Sequence, residues 1–266
     1  MFDPTLPKSI RKKVLVPLPR YGFDPTEAAI PWWLLTSAGH DLYFATPDGY
    51  SSMADLRMLR GEGLGIWKWL LQARPDAIAA CHRMSNSDAF CSPLKYTDIR
   101  PEVFDALLLP GGHDKGMREY LESPVLQNTV ATFFILQKPV AAICHGVVLV
   151  ARSKHPQTKY SILRNYQTTA LLQSQEITAW QLTRWWLKDY YLTYPVTVQA
   201  EVTAALADST QFLSGPFPLL RDNATHLRRG FTVLDRHYLS ARWPGDVYRF
   251  SHDLLQLLAA GEQPLT

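Results

Sequence analysis

Two short apolar runs in the middle of the chain each end in a tight glycine turn. They are FDALLLPGG at 104–112 and PVAAICHG at 139–146. An uninterrupted apolar run of this length, closed by turn residues, is typical of a strand buried on both faces of a parallel sheet. Residues 123–137, between the two runs, have the apolar spacing of a helix. The segment therefore predicts a strand–helix–strand unit with parallel strands.

The N-terminal part of the chain predicts the same unit. KVLVPL at 13–18 and DLYFAT at 41–46 have the composition of strands. Between them, Asp24 suits a helix N-cap, Pro25 the first helical position and Gly39 a left-handed helix end. Repeated alternation of this kind predicts an α/β fold with a flavodoxin-like, doubly wound, mostly parallel sheet.

The other segments are predicted to elaborate a single domain that spans 1–266. Residues 50–100 contain mixed helical patterns that do not clearly extend the sheet, and they predict a cap insertion. Residues 174–228 predict a second, aromatic-rich helical insertion. Residues 229–243 resemble a hairpin with its turn near Asp235, and the last apolar segment of the chain predicts a helix.

The composition excludes several classes of protein. With 266 residues, of which 47% are hydrophobic and 19% charged, the chain can build a large core and is not a disordered or fibrous protein. A net charge of +3 is too small to indicate a nucleic-acid partner. The three cysteines have neither disulfide-framework nor zinc-ligand spacing, which favours a reducing compartment and a cytoplasmic location.

Neither a membrane span nor a signal peptide is expected. The most lipophilic stretch, 139–151, contains His145 and is shorter than the roughly 20 apolar residues that a span needs. The basic N-terminal segment, 1–19, leads into only a short apolar run that Pro17 and Pro19 interrupt. This pattern is unlike a signal peptide.

Aromatic side chains crowd the helical segment 174–194, namely Trp180, Trp185, Trp186, Tyr190, Tyr191 and Tyr194. Aromatic residues mainly supply buried area, so the favoured interpretation is a helix that packs into the core or against a second copy of the chain. A cage for a ligand is the alternative interpretation.

The sharpest chemical signal is AICHG at 142–146, in which Cys144 lies between an apolar strand and a predicted helix. Small residues two positions before and after it permit the strained turn of a nucleophile elbow. The helix N-terminus that follows would favour a thiolate and supply N–H donors for an oxyanion. Cys144 is therefore predicted to be reactive, with a buried structural cysteine as the alternative.

AICHG, LLLPGGHDKGM at 107–117 and DPTEAAIPWWLLTSAGHDLYFATPDG at 24–49 together resemble the PfpI superfamily. The resemblance covers most of the first 180 residues and implies a class I glutamine amidotransferase-like fold. Within the superfamily, the DPTE and ATPDG segments are similar to the branch that contains heat-shock chaperone 31 and the glutathione-independent glyoxalase III enzymes. The resemblance also implies a homodimer.

The same resemblance implies roles for particular residues. Cys144 matches the nucleophile, His145 matches its histidine partner, and Glu27 matches the acid that faces the nucleophile. Glu176 is the best positional match for a third acid. The backbone N–H groups of Gly112 and His145 would lie on the oxyanion side.

Each of these assignments has a structural alternative. Glu27 occupies the third helical position, from which a glutamate often caps the backbone of the N-cap residue, here Asp24. His145 would suit a solvent-facing helical position. Glu176 would suit a solvated carboxylate in the first turn of a helix.

No required metal or cofactor is predicted. His82 follows Cys81 and His113 follows Gly112, but neither pair has the spacing of a ligand set. Cys81 and Cys91 are expected to be ordinary thiols.

Three functions fit these observations. The resemblance favours a cofactor-independent cysteine enzyme that converts a small reactive aldehyde such as methylglyoxal to a hydroxy acid. An amidohydrolase or peptidase is the second function, although Val147 after the elbow and Asp253 after His252 argue against a glutaminase. The third is a holdase chaperone for unfolded protein clients, or a redox sensor in which Cys144 is oxidised.

Overall fold

Short strands and helices alternate through residues 10–260, the part of the chain that the computed structural model describes. The strands are β1 Lys13–Pro17, β2 Tyr21–Phe23, β3 Asp41–Thr46, β4 Met53–Ala54, β5 Leu94–Lys95, β6 Ala106–Leu109, β7 Val140–Ile143, β8 Thr232–Asp235 and β9 Tyr238–Ala241. The helices are α1 Pro25–Ser37, α2 Leu56–Arg60, α3 Lys68–Leu71, α4 Pro75–Ser85, α5 Asp88–Cys91, α6 Met117–Leu121, α7 Pro124–Ile135, α8 Gly146–Arg152, α9 Gln173–Leu187, α10 Val198–Ala205 and α11 Val247–Ala260. Residues 1–9 lie outside the described residues. They belong to the segment 1–19, from which the sequence predicts that there is no signal peptide.

The main sheet has seven strands in the order β5-β3-β1-β6-β7-β9-β8. Every neighbouring pair is parallel except β8 and β9. Helix α1 packs on α4 and α11, and α8 packs on α7 and α10. All residues of β6 and β7 are buried, as expected for central parallel strands. The predicted α/β, flavodoxin-like fold is confirmed.

The order of the strands creates a crevice at their carboxyl ends. After β1 the chain adds β3 on one side and later adds β6 on the other. Neighbouring strands that lead away in opposite directions leave such a crevice between their connections. The loop after β6 carries Gly111, Gly112 and His113, and the corner after β7 carries Cys144. These residues therefore meet at the same edge of the sheet.

Helix α1 begins as the sequence predicts. The Asp24 carboxylate accepts the backbone N–H groups of Thr26 and Glu27, and Pro25 occupies the first helical position. A cap of this kind contributes about 1 kcal/mol to helix stability. Gly39 follows the helix with φ +94°. Because the cap fixes where the helix starts, it also fixes the direction in which the Glu27 side chain leaves it.

The first insertion departs from the prediction at two short strands. β5 pairs with β3 at the edge of the main sheet, so part of the segment predicted to be a cap extends the sheet instead. β4 pairs with β2 in a separate two-stranded sheet. Strands of two residues show no alternation that could reveal them in the sequence. The rest of the segment contributes α2 to α5.

The aromatic segment is only partly a core helix. Helix α9 ends at Leu187, before the tyrosines, and Lys188 takes a left-handed φ of 54°. Tyr190 and Tyr191 are buried in an apolar cluster with residues of the first insertion. Trp185, in contrast, is 82% exposed. The core-packing interpretation therefore describes the two tyrosines but not this tryptophan.

The predicted hairpin is formed by β8 and β9, with Arg236 at its turn. Just after β9, the fully buried Arg242 pairs with Asp246 at 2.8 Å. Arg242 Nη1 also donates to the carbonyl oxygens of Ser214 and Pro216. This buried pair ties the second insertion to the sheet. Among residues 10–260, no helix is both long and apolar enough to cross a bilayer.

Candidate active site

Cys144 lies at a strained corner between β7 and α8. Its φ is +57°, a left-handed conformation that costs a non-glycine residue of order 1 kcal/mol or more. Its N–H donates to the carbonyl oxygen of Ala241 at 3.1 Å. A Cβ atom on Gly146 would lie 2.1 Å from the carbonyl oxygen of Leu109, so only glycine fits there. These features are those of a nucleophile elbow.

His145 follows the cysteine and faces its sulfur. The Nδ1 atom lies 3.5 Å from Cys144 Sγ, and the His145 backbone N–H also interacts with the sulfur, which favours the thiolate. Burial, together with the nearby His113, lowers the pKa of the His145 imidazole well below its ordinary value. The side chain is buried, so the alternative of a solvent-facing histidine is wrong.

Glu27 reaches from α1 to the same corner. Its Oε2 accepts the Gly111 N–H at 2.8 Å, and its Oε1 is buried without a hydrogen-bond partner among the described residues. Burial, and then the charge of Asp24, raises the pKa of the carboxyl well above its ordinary value, while its contact with Cys144 acts in the opposite direction. The alternative role, capping the Asp24 backbone, is wrong because the carboxyl is bound to Gly111.

The thiol of Cys144 differs from the expectation in its protonation. Burial raises its pKa well above the ordinary value, and the carboxylates of Glu27 and Asp24 raise it further. Only 1% of the residue is exposed. The seven-residue helix α8 does not offset the loss of hydration. Burial therefore favours the neutral thiol, which is opposite in direction to the predicted preference for a thiolate.

Glu176 lies in the first turn of α9 but does not contact His145. Its Oε2 accepts the Val198 N–H at 2.9 Å, and burial raises the pKa of the carboxyl to about 7. Its other oxygen, Oε1, and the Nε2 atom of His145 are each buried and have no hydrogen-bond partner within residues 10–260. The alternative of a solvated carboxylate is wrong. A triad with Glu176 would need these two unpartnered atoms to approach each other.

The glycine loop after β6 lies against the elbow. A Cβ atom on Gly111 would lie 2.6 Å from the His145 backbone nitrogen and 3.0 Å from Cys144 Cβ. Gly112 has a φ of +155°, and a Cβ atom there would lie 2.6 Å from the Gly22 carbonyl oxygen. The loop can thus approach the sulfur closely because it lacks side chains. The oxyanion role of the Gly112 and His145 N–H groups stays a prediction.

His113 was not recognised as a site residue in the sequence. Its ring packs edge-on against His145, with centroids 4.9 Å apart, and against Tyr191 at 4.8 Å. Burial lowers the pKa of its imidazole to about 4, and its buried Nδ1 has no hydrogen-bond partner in the part of the chain that the structure describes. The signal in the sequence that points to His113 is the pair Gly111 and Gly112 directly before it. Glycines let the backbone pass close to the elbow, and this brings the next side chain to the sulfur.

These residues also have the chemistry of metal ligands. One ligand atom from each of His113, Cys144 and His145 lies within 4.8 Å of the others. Thiolate and imidazole together suit Zn²⁺ or Cu⁺. The absence of a metal requirement stays a prediction. Cys81 and Cys91 are free thiols outside this group, and burial raises the pKa of Cys81 to about 11.

A cavity of about 260 Å³ lies beside the cluster. Asp24, Thr26 and His113 form the wall next to the elbow, and most of the other lining residues come from the two insertions. His113 thus contributes both to the cavity wall and to the group around the sulfur. Cys144 itself is not part of the lining, and His113 is the lining residue that places a ring nitrogen within 4.8 Å of its sulfur.

The sheet order, the elbow and the facing acid define an α/β protein that presents a cysteine at a strand-to-helix corner. A model of the family described as ThiJ/PfpI family-like matches residues 18–216, which are most of the chain. The chain therefore belongs to the ThiJ/PfpI family, and the predicted membership of the PfpI superfamily is confirmed.

Several known proteins are similar to the chain. A Schizosaccharomyces pombe protein described as uncharacterised is 30% identical over 149 residues, which are 53% of this chain and 54% of that protein. The match thus spans about half the length of this relative. Glyoxalase III from Candida albicans superposes with a TM-score of 0.67 at 19% identity, over 92% of this chain and 97% of that chain.

A third similar protein is the Rapid Encystment Protein 24 kDa of Francisella tularensis. It has a TM-score of 0.66 at 14% identity, over 93% of this chain and 99% of that chain. At these identities, the two solved structures show a common fold and nothing finer. Placement in the chaperone 31 and glyoxalase III branch stays a prediction.

Proposed function

We propose that this chain is a cofactor-independent cysteine enzyme that converts small reactive α-oxoaldehydes, such as methylglyoxal, to α-hydroxy acids without glutathione. The observation that carries the proposal is the buried Glu27 carboxyl beside the Cys144 thiol, each of which shifts the pKa of the other. A carboxyl that keeps its proton can donate it to a carbonyl oxygen as sulfur attacks. The likeness to a glyoxalase III structure supports the proposal at the level of the family.

The reaction passes through one carbon–sulfur adduct and several proton transfers. The Cys144 sulfur bonds to the aldehyde carbon while the carbonyl oxygen takes up a proton, which gives a hemithioacetal. Glu27 or His145 then removes the proton from that carbon while the neighbouring ketone oxygen takes one up, which gives an enediol. The neighbouring carbon then receives a proton, and the hydroxyl group on the sulfur-bearing carbon loses its own. The product is a thioester of the hydroxy acid. Water cleaves its carbon–sulfur bond and restores the thiol.

The protonation of the site fits this order of steps. Both the thiol and the Glu27 carboxyl have raised pKa values, mainly because they are buried. The two groups interact, so they titrate as a pair rather than independently. A neutral pair avoids two buried negative charges at rest. The thiol proton is therefore lost as the carbon–sulfur bond forms, with the neutral imidazole of His145, whose Nδ1 lies 3.5 Å from the sulfur, as its acceptor.

The test is lactate formation from methylglyoxal without glutathione. We expect Cys144→Ala to abolish it and Glu27→Gln to lower kcat by roughly 10²–10⁴, the range for a lost general acid or base. Cys91→Ala is the matched control, because Cys91 is an exposed free thiol, and it should keep the wild-type rate. Equal rates for wild type and Cys144→Ala would exclude the proposal. Ammonia release from glutamine in the same preparation would favour the amidohydrolase alternative.

A specific observation also favours the holdase alternative. The insertions expose large apolar side chains, among them Ile66 at 77%, Trp69 at 79%, Trp185 at 82% and Phe217 at 72%. Exposed apolar surface of this kind is typical of protein-binding regions. Suppression of client aggregation by the Cys144→Ala variant, lost in Trp69→Gln with Trp185→Gln, would support a chaperone role. Coverage of the same surface by a second copy would instead give a dimer in light scattering that the tryptophan variants dissociate.

A further inference from the structure

The cavity beside His113 is larger than a three-carbon aldehyde needs. Its volume of about 260 Å³ approaches the roughly 300 Å³ at which pockets for drug-sized ligands begin. Met58, Leu70 and Leu182 are among the apolar side chains that line it, and they come from both insertions. Methylglyoxal carries only a methyl group beyond its two carbonyls and would leave most of this volume unfilled. The walls therefore suit a substrate with a larger apolar body.

Arg221 brings a positive charge to the wall of this cavity. Its Nη1 donates to the Gln72 carbonyl oxygen at 3.1 Å, and its Nη2 donates to the Leu70 carbonyl oxygen at 2.7 Å. These bonds hold the guanidinium in place without neutralising it. Within residues 10–260, Arg221 forms no ion pair with a carboxylate. An arginine keeps its charge at any physiological pH.

The cavity's own carboxyl does not supply this missing partner. Asp24 also lines the cavity, but its Oδ1 is used to cap α1. The charges of Asp24 and Arg221 influence each other's pKa without the two groups reaching ion-pair distance. A ligand carboxylate that binds in the cavity next to Arg221 would make the direct contact that Arg221 lacks.

Two residues of the wall, Tyr191 and Trp243, each carry a polar atom without a partner in the described part of the chain. Trp243 Nε1 and Tyr191 Oη are buried and form no hydrogen bond among the described residues. The guanidinium carbon of Arg221 lies 5.6 Å from the centre of the Trp243 ring. An indole N–H can only donate a hydrogen bond, so it also favours an acceptor such as a carboxylate oxygen. Buried polar atoms without partners are uncommon in native proteins and call for a ligand or water.

We propose that the cavity is a subsite for the far end of the substrate, and that this substrate is an α-oxoaldehyde whose apolar aryl or alkyl body ends in a carboxylate. The aldehyde carbon reaches Cys144 past His113, the apolar body contacts the walls from the two insertions, and the carboxylate binds Arg221 and Trp243 Nε1. The inference rests on the proposed function for the identity of the reacting group. The binding of a molecule with an apolar body and a carboxylate does not depend on the proposed function.

The first test compares two substrates that differ only in the carboxylate, phenylglyoxal and its para-carboxylated derivative. Wild type is expected to prefer the carboxylated compound in kcat/KM by about tenfold to a hundredfold, the range for hydrogen bonds to a charged group. Arg221→Leu should lose this preference, and Arg221→Lys should keep part of it. Arg100→Leu, an exposed arginine outside the cavity lining, is the matched control and should keep all of it.

Initial rates are used because glyoxals modify arginine over time. Either an absent preference in wild type or a preference that survives in Arg221→Leu would overturn the subsite. If Arg221→Leu does not fold, the wild-type ratio and the Arg221→Lys ratio still decide the question.

The second test needs no turnover. Calorimetry measures the binding of phenylpropanoate and of its neutral counterpart phenylpropanol to wild type, Cys144→Ala and Arg221→Lys. Tighter binding of the carboxylate to both wild type and Cys144→Ala, weakened in Arg221→Lys, supports the subsite even if no aldehyde is converted. Turnover of methylglyoxal without any preference for the carboxylate would leave the proposed function standing and overturn the subsite alone.

Discussion

At the scale of single residues, burial decides the chemistry of the candidate site more than the elbow does. An exposed elbow would lower the pKa of its cysteine, but here the thiol and the Glu27 carboxyl are both buried and both have raised pKa values. His145 and His113 have lowered pKa values for the same reason. Burial thus favours the neutral forms of these side chains, and in the proposed reaction the carbonyl of the substrate would be the polar group that starts proton transfer.

Gly111 makes this arrangement possible because it has no side chain. We expect Gly111→Ala to lower kcat/KM of the proposed reaction by about 10²–10³, the range for disturbing one oxyanion donor. The new Cβ atom would lie 2.6 Å from the His145 nitrogen and 2.9 Å from Glu27 Oε2, so at least one of them must move. Steady-state rates together with thermal melting check the prediction. A variant that melts like wild type and keeps full activity would contradict it.

The site residues differ in how far the sequence could predict them. Cys144 follows from a local pattern, since a strand-to-helix corner fixes where its side chain points. The site role of Glu27 came from the family resemblance, because its position near the start of a helix fits backbone capping as well. His113 reaches the sulfur through a fold-dependent contact between two loops, and Arg221 comes from a stretch without regular structure. Neither carries a spacing that could be recognised. The partner of Glu176 depends on how α9 docks, which no local pattern encodes.

At the scale of elements, the helices were predictable from apolar spacing that extends over many residues. Most strands of the main sheet were predictable from short apolar runs that end in turn residues. α1, α7 and the hairpin strands β8 and β9 lie where their patterns indicated. β4 and β5 have two residues each, and their pairing depends on neighbours that are distant in sequence. The segment after α10 contains only short turns, and Arg242 is one of the residues that hold it, through the carbonyl oxygens of Ser214 and Pro216.

We expect Asp246→Ala to lower the free energy of unfolding by about 3–5 kcal/mol, because it leaves the buried Arg242 charge without its partner. Asp246 also accepts the Phe231 N–H, so its loss affects the chain at two places. The matched control is Glu62→Ala. Its pair with Arg60 is exposed, and it should change stability by less than about 1 kcal/mol. Urea unfolding of the variants measures both values, and similar losses in the two would contradict the role given to the buried pair.

At the scale of the whole molecule, the sheet and the insertions have separate tasks. The carboxyl ends of β1, β6 and β7 bring Glu27, the glycine loop and Cys144 together, and these positions follow from the fold. The two insertions add most of the cavity wall. Under the proposed function, the reacting groups would therefore belong to the common fold, whereas the size and charge of the substrate would depend on segments whose sequences show the weakest patterns.

Several buried carboxyls should also make the stability of the whole molecule depend on pH. Burial raises the pKa of Glu176 to about 7, of Asp222 to about 7 and of Asp55 to about 6. Between their ordinary values and these raised values, the folded protein binds more protons than the unfolded chain, so these groups lower the free energy of unfolding as the pH rises. The buried histidines act in the opposite direction, because their pKa values are lowered. Only a difference between variants isolates one group.

For Glu176 that difference is measured with Glu176→Gln, which removes the titration and keeps an oxygen for the Val198 N–H. From its ordinary pKa of 4.5 to about 7, wild type should lose stability relative to the variant. Near pH 4.5, wild type and Glu176→Gln should have similar free energies of unfolding. Above about pH 7, the variant should be more stable than wild type by roughly 1–3 kcal/mol. Urea unfolding over this pH range measures the difference, with the exposed Glu62→Gln as control. A difference between Glu176→Gln and wild type that stays constant with pH would mean that Glu176 keeps an ordinary pKa, and that its carboxylate is stabilised by a partner such as His145.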